Sequence, residues 1–329
     1  MKYVLGIDQG ASKTHAVVSD SFGRILGMGK SYGACHSSSG LDYAVRAVIE
    51  ASDAALSQSG LKRDDICTLT GGLTGIDWDD ESALLSNAVK AYFPEADIRI
   101  VNDCMIAMKG GTQSDCCAIL CAGSGLNCAV QNGKDCFVYG FYIPDEYQGG
   151  AALGKKTVQA VFDAHMGIVQ KTMLTEMLLE YFKEPSVDCL LYRRVKGKIK
   201  DTDYLYLPIL LEKAALCGDK TAADIWKDYG RAIVVYLTAR MKMMGSLDKT
   251  ADIILSGSIF KCKFEAFKNT VKEEIWKAAP KANIIEAKYE PVIGAVLMAL
   301  QEMNGGLGLT VYENLEQSAK KFPIVRIKD

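Results

Sequence analysis

The first 112 residues alternate between apolar runs and amphipathic stretches, in an order that predicts one complete α/β lobe. Three closely spaced apolar runs, the last over Arg24–Lys30, predict three consecutive antiparallel strands. Apolar positions at helical spacing then extend from Leu41 to a stop at Gly60. A strand, a loop, a helix and a strand complete the lobe, over Ile66–Thr70, Gly71–Gly75, Glu81–Phe93 and Ile98–Val101. This order predicts a mixed sheet covered by helices.

The opening pattern recurs after Gly110–Ser114, the predicted domain boundary. Two strands, Cys116–Ala122 and Leu126–Gln131, flank a bare turn, and Asn132-Gly133 predicts a hairpin to a third strand. The remainder is mostly helical by its spacing, over Ala151–Met166, Leu174–Phe182, Tyr204–Cys217, Thr221–Met244 and Pro291–Met303, with short strands at Ile253–Ser256 and Asn283–Glu286. We expect two domains, residues 1–112 and 113–329. Whether the final helix and tail return to the first lobe stays open.

The turn between the first two strands carries groups that suit a phosphate. Gly10-Ala11-Ser12 leaves backbone N–H groups nearly bare, and Lys13 adds a positive charge. Asp8, at the end of its strand, can hold a cation directly or through water. The stretch is neither a Walker A loop nor a dinucleotide fingerprint. An ordinary turn is the alternative. If two β-hairpins together bind the phosphates of a nucleotide, the chain must contain a second turn of small residues. Gly123-Ser124-Gly125 is such a turn.

Composition narrows the classes of protein to consider. Hydrophobic residues make up 49% of the 329 positions and charged residues 24%, with a formal net charge of −2. This charge gives no electrostatic case for nucleic acid or an anionic membrane as a partner. No apolar run approaches the roughly 18 residues of a membrane span, and no signal-peptide core opens the chain. We therefore expect a cytoplasmic globular protein.

The eleven cysteines do not have the spacing of a metal site. The densest group contains no C-x2-C pair matched to another such pair: Cys116, Cys117, Cys121, Cys128 and Cys136. These cysteines lie in apolar, strand-like stretches, where a reduced thiol packs as a small hydrophobe. We expect neither iron nor zinc to bind them.

Five motifs follow one another in order along the chain, with sensible spacing: Gly6–Thr14, Asn102-Asp103, Ala122–Cys128, Leu255–Lys261 and Pro291–Ala295. Together they resemble the phosphate, connecting and adenosine motifs of the BadF/BadG/BcrA/BcrD ATPase family. Within that family the chain is most similar to the N-acetylglucosamine kinases. The resemblance extends from Leu5 to about Leu300.

This resemblance implies an α/β, two-lobed actin-like ATPase (ribonuclease H-like) fold with the nucleotide in the interlobe cleft. It implies phosphorylation of an amino sugar, above all N-acetylglucosamine, by ATP and Mg²⁺, with Asp103 as the general base. The nucleotide-facing positions would be Asp8, Gly10, Ser12, Lys13, Thr14, Gly123, Ser124, Gly125, Gly257 and Ser258, with Asp8 also toward the metal. The sugar-facing positions would be Cys35, His36, Asn102, Asp103, Leu126, Asn127, Tyr139, Gly140 and Asp145. Family members are often dimers, so a homodimer is an expectation.

Several positions depart from the family pattern. Cys35 stands where these kinases have asparagine, and Pro144–Gln148 replaces a Gly-Asp-Glu-Gly-Ser run. Gln9 and Ala11 replace glycines of the first phosphate loop. The identity of the sugar therefore stays open.

Three alternatives accompany this prediction. Some relatives are ATP-driven activators with an iron–sulfur cluster, and Cys121–Gly125 superficially resembles their cysteine motif. A regulator that binds sugar or nucleotide without turnover is the second. At the level of single residues, Asn102-Asp103 could cap a helix and Asp145 could lie in a solvated turn.

Overall fold

A computed structural model describes residues 2–325 and contains two five-stranded sheets. The strands of the first sheet are β1 (Tyr3–Gln9), β2 (Lys13–Asp20), β3 (Ile25–Tyr32), β4 (Ile66–Leu73) and β5 (Asp97–Asn102). Their order is β3-β2-β1-β4-β5. The first three strands pair antiparallel, whereas β1, β4 and β5 run parallel, so the predicted meander and mixed sheet are confirmed.

The second sheet repeats this arrangement. Its strands are β6 (Cys116–Ala122), β7 (Leu126–Asn132), β8 (Asp135–Val138), β9 (Asp252–Ser256) and β10 (Asn283–Glu286). Their order is β10-β9-β6-β7-β8, with antiparallel pairing from β6 to β8 and parallel pairing of β6, β9 and β10. We call each sheet with its packed helices a lobe.

Helices cover both sheets. Within residues 2–325 they are α1 (His36–Ser39), α2 (Leu41–Ser59), α3 (Asp79–Lys90), α4 (Asp103–Gly111), α5 (Gly149–His165), α6 (Leu174–Phe182), α7 (Val187–Val195), α8 (Asp201–Leu216), α9 (Lys220–Met243), α10 (Glu265–Ala278), α11 (Val292–Asn304) and α12 (Leu309–Ala319). In this described part, none combines the length and apolarity that crossing a membrane requires.

The two faces of the first sheet are buried by different parts of the chain. On one face, Leu5, Ile7 and Leu69 pack with apolar residues of α2 and α3. On the other, Val4 and Val17 pack with α11 and α12. The described part of the C-terminal segment therefore lies on the first sheet; residues 326–329 of the predicted second domain lie outside the described residues.

Helices α4 and α11 cross where both carry glycine. A Cβ on Gly294 would collide with the main chain of α4 at the Ile106 carbonyl and lie 2.7 Å from the Gly110 nitrogen. Only glycine allows so close a backbone approach. Helix α4 also packs against strands of both sheets, so this crossing lies at the junction of the lobes.

The predicted loop at Gly71–Gly75 is wrong in its first half. Gly71 and Gly72 belong to β4, where they pair with β1 and β5. The Ile106 side chain fills the space that a Cβ on Gly72 would need, so the bare backbone serves helix packing. The polar stretch at 31–40 likewise contains the end of β3 and the short helix α1, and α7 was not predicted.

Candidate active site

The first hairpin has small residues at its tip, and hydrogen bonds hold the residues at the base of the turn. The Gly10 N–H donates to the Lys13 carbonyl at 2.9 Å, which closes the turn between β1 and β2. Asp8, 8% exposed, lies two residues before this turn. Thr14 is fully buried, and its hydroxyl donates to the Tyr32 carbonyl at 2.7 Å. The Thr14 hydroxyl is thus engaged inside the hairpin, and a nucleotide contact by this residue stays a prediction.

The second hairpin meets the first across the cleft. Gly123 N–H donates to the Gly125 carbonyl at 2.8 Å, and the first turn of α5 donates to the same loop through the N–H groups of Gly150 and Ala151. Ser12 Oγ and Ser124 Oγ are 3.3 Å apart, within hydrogen-bond distance. The two predicted phosphate loops, distant in sequence, thus face each other at their tips.

Two lysines converge on one carboxylate beside these tips. Lys13 Nζ lies 2.9 Å from Glu290 Oε2, and Lys261 Nζ lies 3.1 Å from Glu290 Oε1. Glu290 is nearly buried, whereas both lysine side chains are about half exposed. These two lysines and Glu290 together carry a formal charge of +1. Sequence reasoning missed Glu290 because nothing local distinguishes it from a surface acid.

Gly257 and Ser258 lie directly beneath the second hairpin. Gly257 has φ +99°, and a Cβ there would collide with the Ala122 carbonyl. A Cβ on Gly123 would be 3.8 Å from Ser258 Oγ. The adenosine motif and the second phosphate motif therefore form one continuous surface.

Asp103 is the first residue of α4, and the adjacent Asn102 is its cap. Asn102 Oδ1 accepts the Cys104 N–H at 2.9 Å, so the capping alternative is right for Asn102. Asp103 is partly exposed at the cleft. Burial of its carboxyl group, and to a lesser extent the charge of Asp77, raises the pKa of Asp103 to about 6, against the hydrogen bonds from Cys104 and Thr74. The Asp103 carboxyl group is thus held by hydrogen bonds from Cys104 and Thr74, and its role as a base stays a prediction.

The predicted sugar residues join both lobes near Asn102. Asn127 Nδ2 donates to Asn102 Oδ1 at 3.3 Å, and Asn127 Oδ1 accepts the Gly140 N–H at 3.0 Å. Tyr139 is anchored by its hydroxyl, which donates to the Tyr236 carbonyl at 2.6 Å. The Leu126 side chain packs in the core of the second lobe and its N–H donates to Gln148 Oε1 at 3.0 Å, so its sugar contact stays a prediction.

The remaining predicted sugar residues, Cys35, His36 and Asp145, make hydrogen bonds or lie at positions that do not involve Asn102 or Asn127. His36 Nε2 lies 3.3 Å from Glu81 Oε1, and His36 Nδ1 is buried without a hydrogen-bond partner among the described residues. Cys35 Sγ lies 3.1 Å from Ser37 Oγ. Asp145 is exposed in a single-turn helix, Asp145–Tyr147, so its sugar contact stays a prediction.

A cavity of about 420 Å³ lies between the lobes and is bordered by Asn102 and Tyr139. Its other lining residues include Asp77, Trp78, Asp79 and Tyr142, which were not predicted. The carboxylates and aromatic rings of these residues form no motif in the sequence. Their common position around the cavity is visible only in the folded structure, where the two lobes meet.

None of the eleven cysteines forms a disulfide, and Cys104, Cys117, Cys128 and Cys262 are buried. A hydrogen bond with Cys121, and then burial, raise the pKa of Cys104. Burial raises the pKa of Cys128, and that of Cys117 to about 12, which keeps these thiols protonated. Among residues 2–325, no cluster of three or more His, Cys, Asp or Glu has the arrangement of a metal site.

Comparisons with known proteins place this geometry in a family. The chain is 24% identical to the N-acetylmuramic acid/N-acetylglucosamine kinase of Clostridium acetobutylicum, over 92% of this chain and 99% of the relative. It is 28% identical to a glucosamine kinase of Vibrio cholerae, over 75% and 85% of the two chains.

A solved structure shares the fold. The crystal structure of a candidate N-acetylglucosamine kinase from Chromobacterium violaceum matches with a TM-score of 0.72 at 18% identity, covering 92% of this chain and 99% of that one. The predicted two-lobed actin-like fold is thereby confirmed. The model of the BadF/BadG/BcrA/BcrD ATPase family matches residues 5–299. The chain belongs to the BadF/BadG/BcrA/BcrD ATPase family.

Proposed function

We propose that this protein transfers the γ-phosphoryl group of ATP to an amino sugar, above all N-acetylglucosamine, by in-line displacement. The observation that carries the proposal is the meeting of two bare hairpin tips, Ser12 and Ser124, 3.3 Å apart beside two lysines. Curated relatives that act on amino sugars, aligned over most of this chain, support it.

The residues at the phosphate end fit a nucleotide with Mg²⁺. The backbone N–H groups of Ala11 and Ser12 and those of Ser124 and Gly125 would bind phosphate oxygens, and Lys13 would offset their charge. Gly257 and Ser258 would lie by the nucleoside. Asp8 would hold the metal directly or through water. When bound, Mg²⁺ would neutralise charge that develops on the phosphates.

Asp103 would accept the proton of the attacking sugar hydroxyl. A carboxyl with a pKa of about 6 is ionised at neutral pH, yet it is more basic than an ordinary aspartate. Asn102 and Asn127, which bond to each other across the lobes, would orient the sugar. Because phosphoryl transfer depends mainly on positioning and charge, this set of groups is sufficient for the chemistry.

The decisive experiment measures ADP release with N-acetylglucosamine, glucosamine, N-acetylmannosamine, glucose and no sugar, each with Mg²⁺ and with excess EDTA. We expect Mg²⁺-dependent release that N-acetylglucosamine stimulates most. If no sugar raises ADP release above the sugar-free rate, the kinase proposal is wrong. Iron analysis of anaerobically purified protein serves as a second check, since stoichiometric iron would favour an electron-transferring activator.

A further inference from the structure

The cavity beside Asn102 is lined by acids and aromatic rings. Asp77, Trp78 and Asp79 contribute from the first lobe, and Tyr139 and Tyr142 from the second. Its lining contains no lysine, arginine or histidine. Trp78 and Tyr142 are 58% and 72% exposed, so their rings are accessible to a ligand. A pocket of this size and composition suits a small polar molecule with an apolar face.

Asp77 connects this cavity to the proposed sugar residues. Its Oδ1 atom lies 3.4 Å from Asn102 Nδ2, and it packs so closely on Gly140 that a Cβ there would collide with it. Burial and the nearby charge of Glu81 raise the pKa of Asp77. The Asp77 carboxylate therefore borders both lobes at the point where a sugar would meet Asn102.

The cationic groups near the cavity lie outside its lining: His36 is close to Asp77, and Arg240 lies over the ring of Phe137, which contacts Tyr139 and Tyr142. The Glu81 carboxylate is already engaged by His36 Nε2 and by the backbone N–H groups of Asp77 and Trp78. Asp79 is exposed at the start of α3. The lysines of the cleft, Lys13 and Lys261, both contact Glu290 at the phosphate end instead.

We propose that this acidic cavity selects the substrate class, admitting neutral and cationic amino sugars and rejecting those that carry a carboxylate. The inference rests on the proposed function and deepens it. N-acetylmuramic acid is N-acetylglucosamine with a carboxylate-bearing ether substituent, and this added charge would meet Asp77 and Asp79 in a cavity whose lining contains no cation. Like charges brought together in an interface disfavour the wrong ligand.

The test compares kcat/KM for N-acetylglucosamine, glucosamine and N-acetylmuramic acid at pH 8. We expect N-acetylmuramic acid to be at least about tenfold poorer than N-acetylglucosamine. Asp79→Lys should raise the ratio of N-acetylmuramic acid to N-acetylglucosamine by about tenfold, because it replaces repulsion by attraction. Asp77→Asn should raise the same ratio in the same direction. Asp80→Lys is the matched control, since Asp80 is exposed on the same helix but does not line the cavity, and should leave the ratio within about twofold.

Calorimetric binding of the three sugars without ATP separates this inference from the proposed function. Weaker binding of N-acetylmuramic acid that Asp79→Lys relieves supports charge selection even if no sugar is phosphorylated. Equal use or binding of N-acetylmuramic acid and N-acetylglucosamine by the unmodified protein overturns the inference. So does an unchanged ratio in Asp79→Lys, or a lack of binding of all three sugars.

Discussion

The two sheets share one strand order but carry different chemistry at their hairpins. In both, three antiparallel strands are followed by two parallel ones. The strand position of Asp8 in β1 is taken by Cys121 in β6, as their partners His15 and Asn127 show. The first tip continues into Lys13, whereas Gly123-Ser124-Gly125 carries no charge.

This difference indicates a division of labour within one repeated scaffold. Under the proposed function, the first lobe would supply the ionised groups Asp8, Lys13 and Asp103, and the tip of the second hairpin would supply only neutral donors. Charge-assisted hydrogen bonds are roughly twice as strong as neutral ones. Substitutions in the first lobe should therefore cost more than equivalent substitutions in the second.

The largest expected effect is at Asp103. Asp103→Asn keeps the shape of the side chain but cannot take a proton, so kcat should fall by about 10²- to 10⁴-fold while ATP binding hardly changes. In the unmodified protein, turnover should fall as the pH drops below about 6, because Asp103 becomes protonated. Steady-state kinetics between pH 5 and 8.5 measure both effects. Near-normal turnover of Asp103→Asn would remove the general-base mechanism.

A smaller effect is expected at the charged tip. Lys13→Ala should raise KM for ATP by about 10- to 100-fold, because it removes a cation from the phosphates. Lys30→Ala, which removes an exposed lysine from the same sheet, is the control and should leave KM unchanged. If the two variants behave alike, Lys13 does not contact the nucleotide.

The uncharged tip should be less sensitive still. Ser124→Ala removes one neutral hydroxyl and leaves the backbone N–H groups of the hairpin in place, so KM for ATP should rise by only about two- to tenfold. Measuring Lys13→Ala in the same assay tests whether the charged hairpin contributes more to ATP binding than the uncharged one. A larger rise in KM for Ser124→Ala than for Lys13→Ala would contradict this expectation.

The smallest effect concerns stability rather than turnover. A carboxyl whose pKa rises from 3.8 to about 6 on folding destabilises the folded protein above pH 6, and this cost disappears as the pH falls below 3.8. Asp103→Asn lacks the cost, so its Tm should exceed that of the parent by about 1 to 3 °C at pH 7.5, with a smaller difference at pH 5. Thermal unfolding at both pH values measures this. A difference that grows as the pH falls would contradict the raised pKa.

Local patterns were enough to predict most of the scaffold. Both hairpins are encoded by adjacent residues, an apolar run followed by glycine and serine, and the long helices by their apolar spacing. Gly71 and Gly72 were predicted to lie in a loop because glycine is common in loops. In the structure both lie in β4, and the missing Cβ of Gly72 leaves room for the Ile106 side chain of α4. That packing depends on a residue more than thirty positions away, so no local pattern contains it.

The same limit applies to the candidate site. Asp103 could be proposed because it follows a strand within a family motif. Glu290 belongs to the candidate site because it contacts Lys13, 277 positions away in the sequence. Asp77 belongs to it because it packs against Gly140 of the other lobe. Such residues come together only when the two lobes pack against each other. Sequence analysis could therefore predict a site residue only where it also lies in a recognisable motif.

The crossing of α4 and α11 has a mechanical consequence. At Gly294 the two helices touch through their main chains, next to Ile106 and Gly110. Interdigitated side chains resist rotation because they must repack when helices turn against each other. At Gly294 itself no side chain would have to repack. We therefore expect this crossing to be the point where a relative rotation of the two lobes would disturb helix packing least.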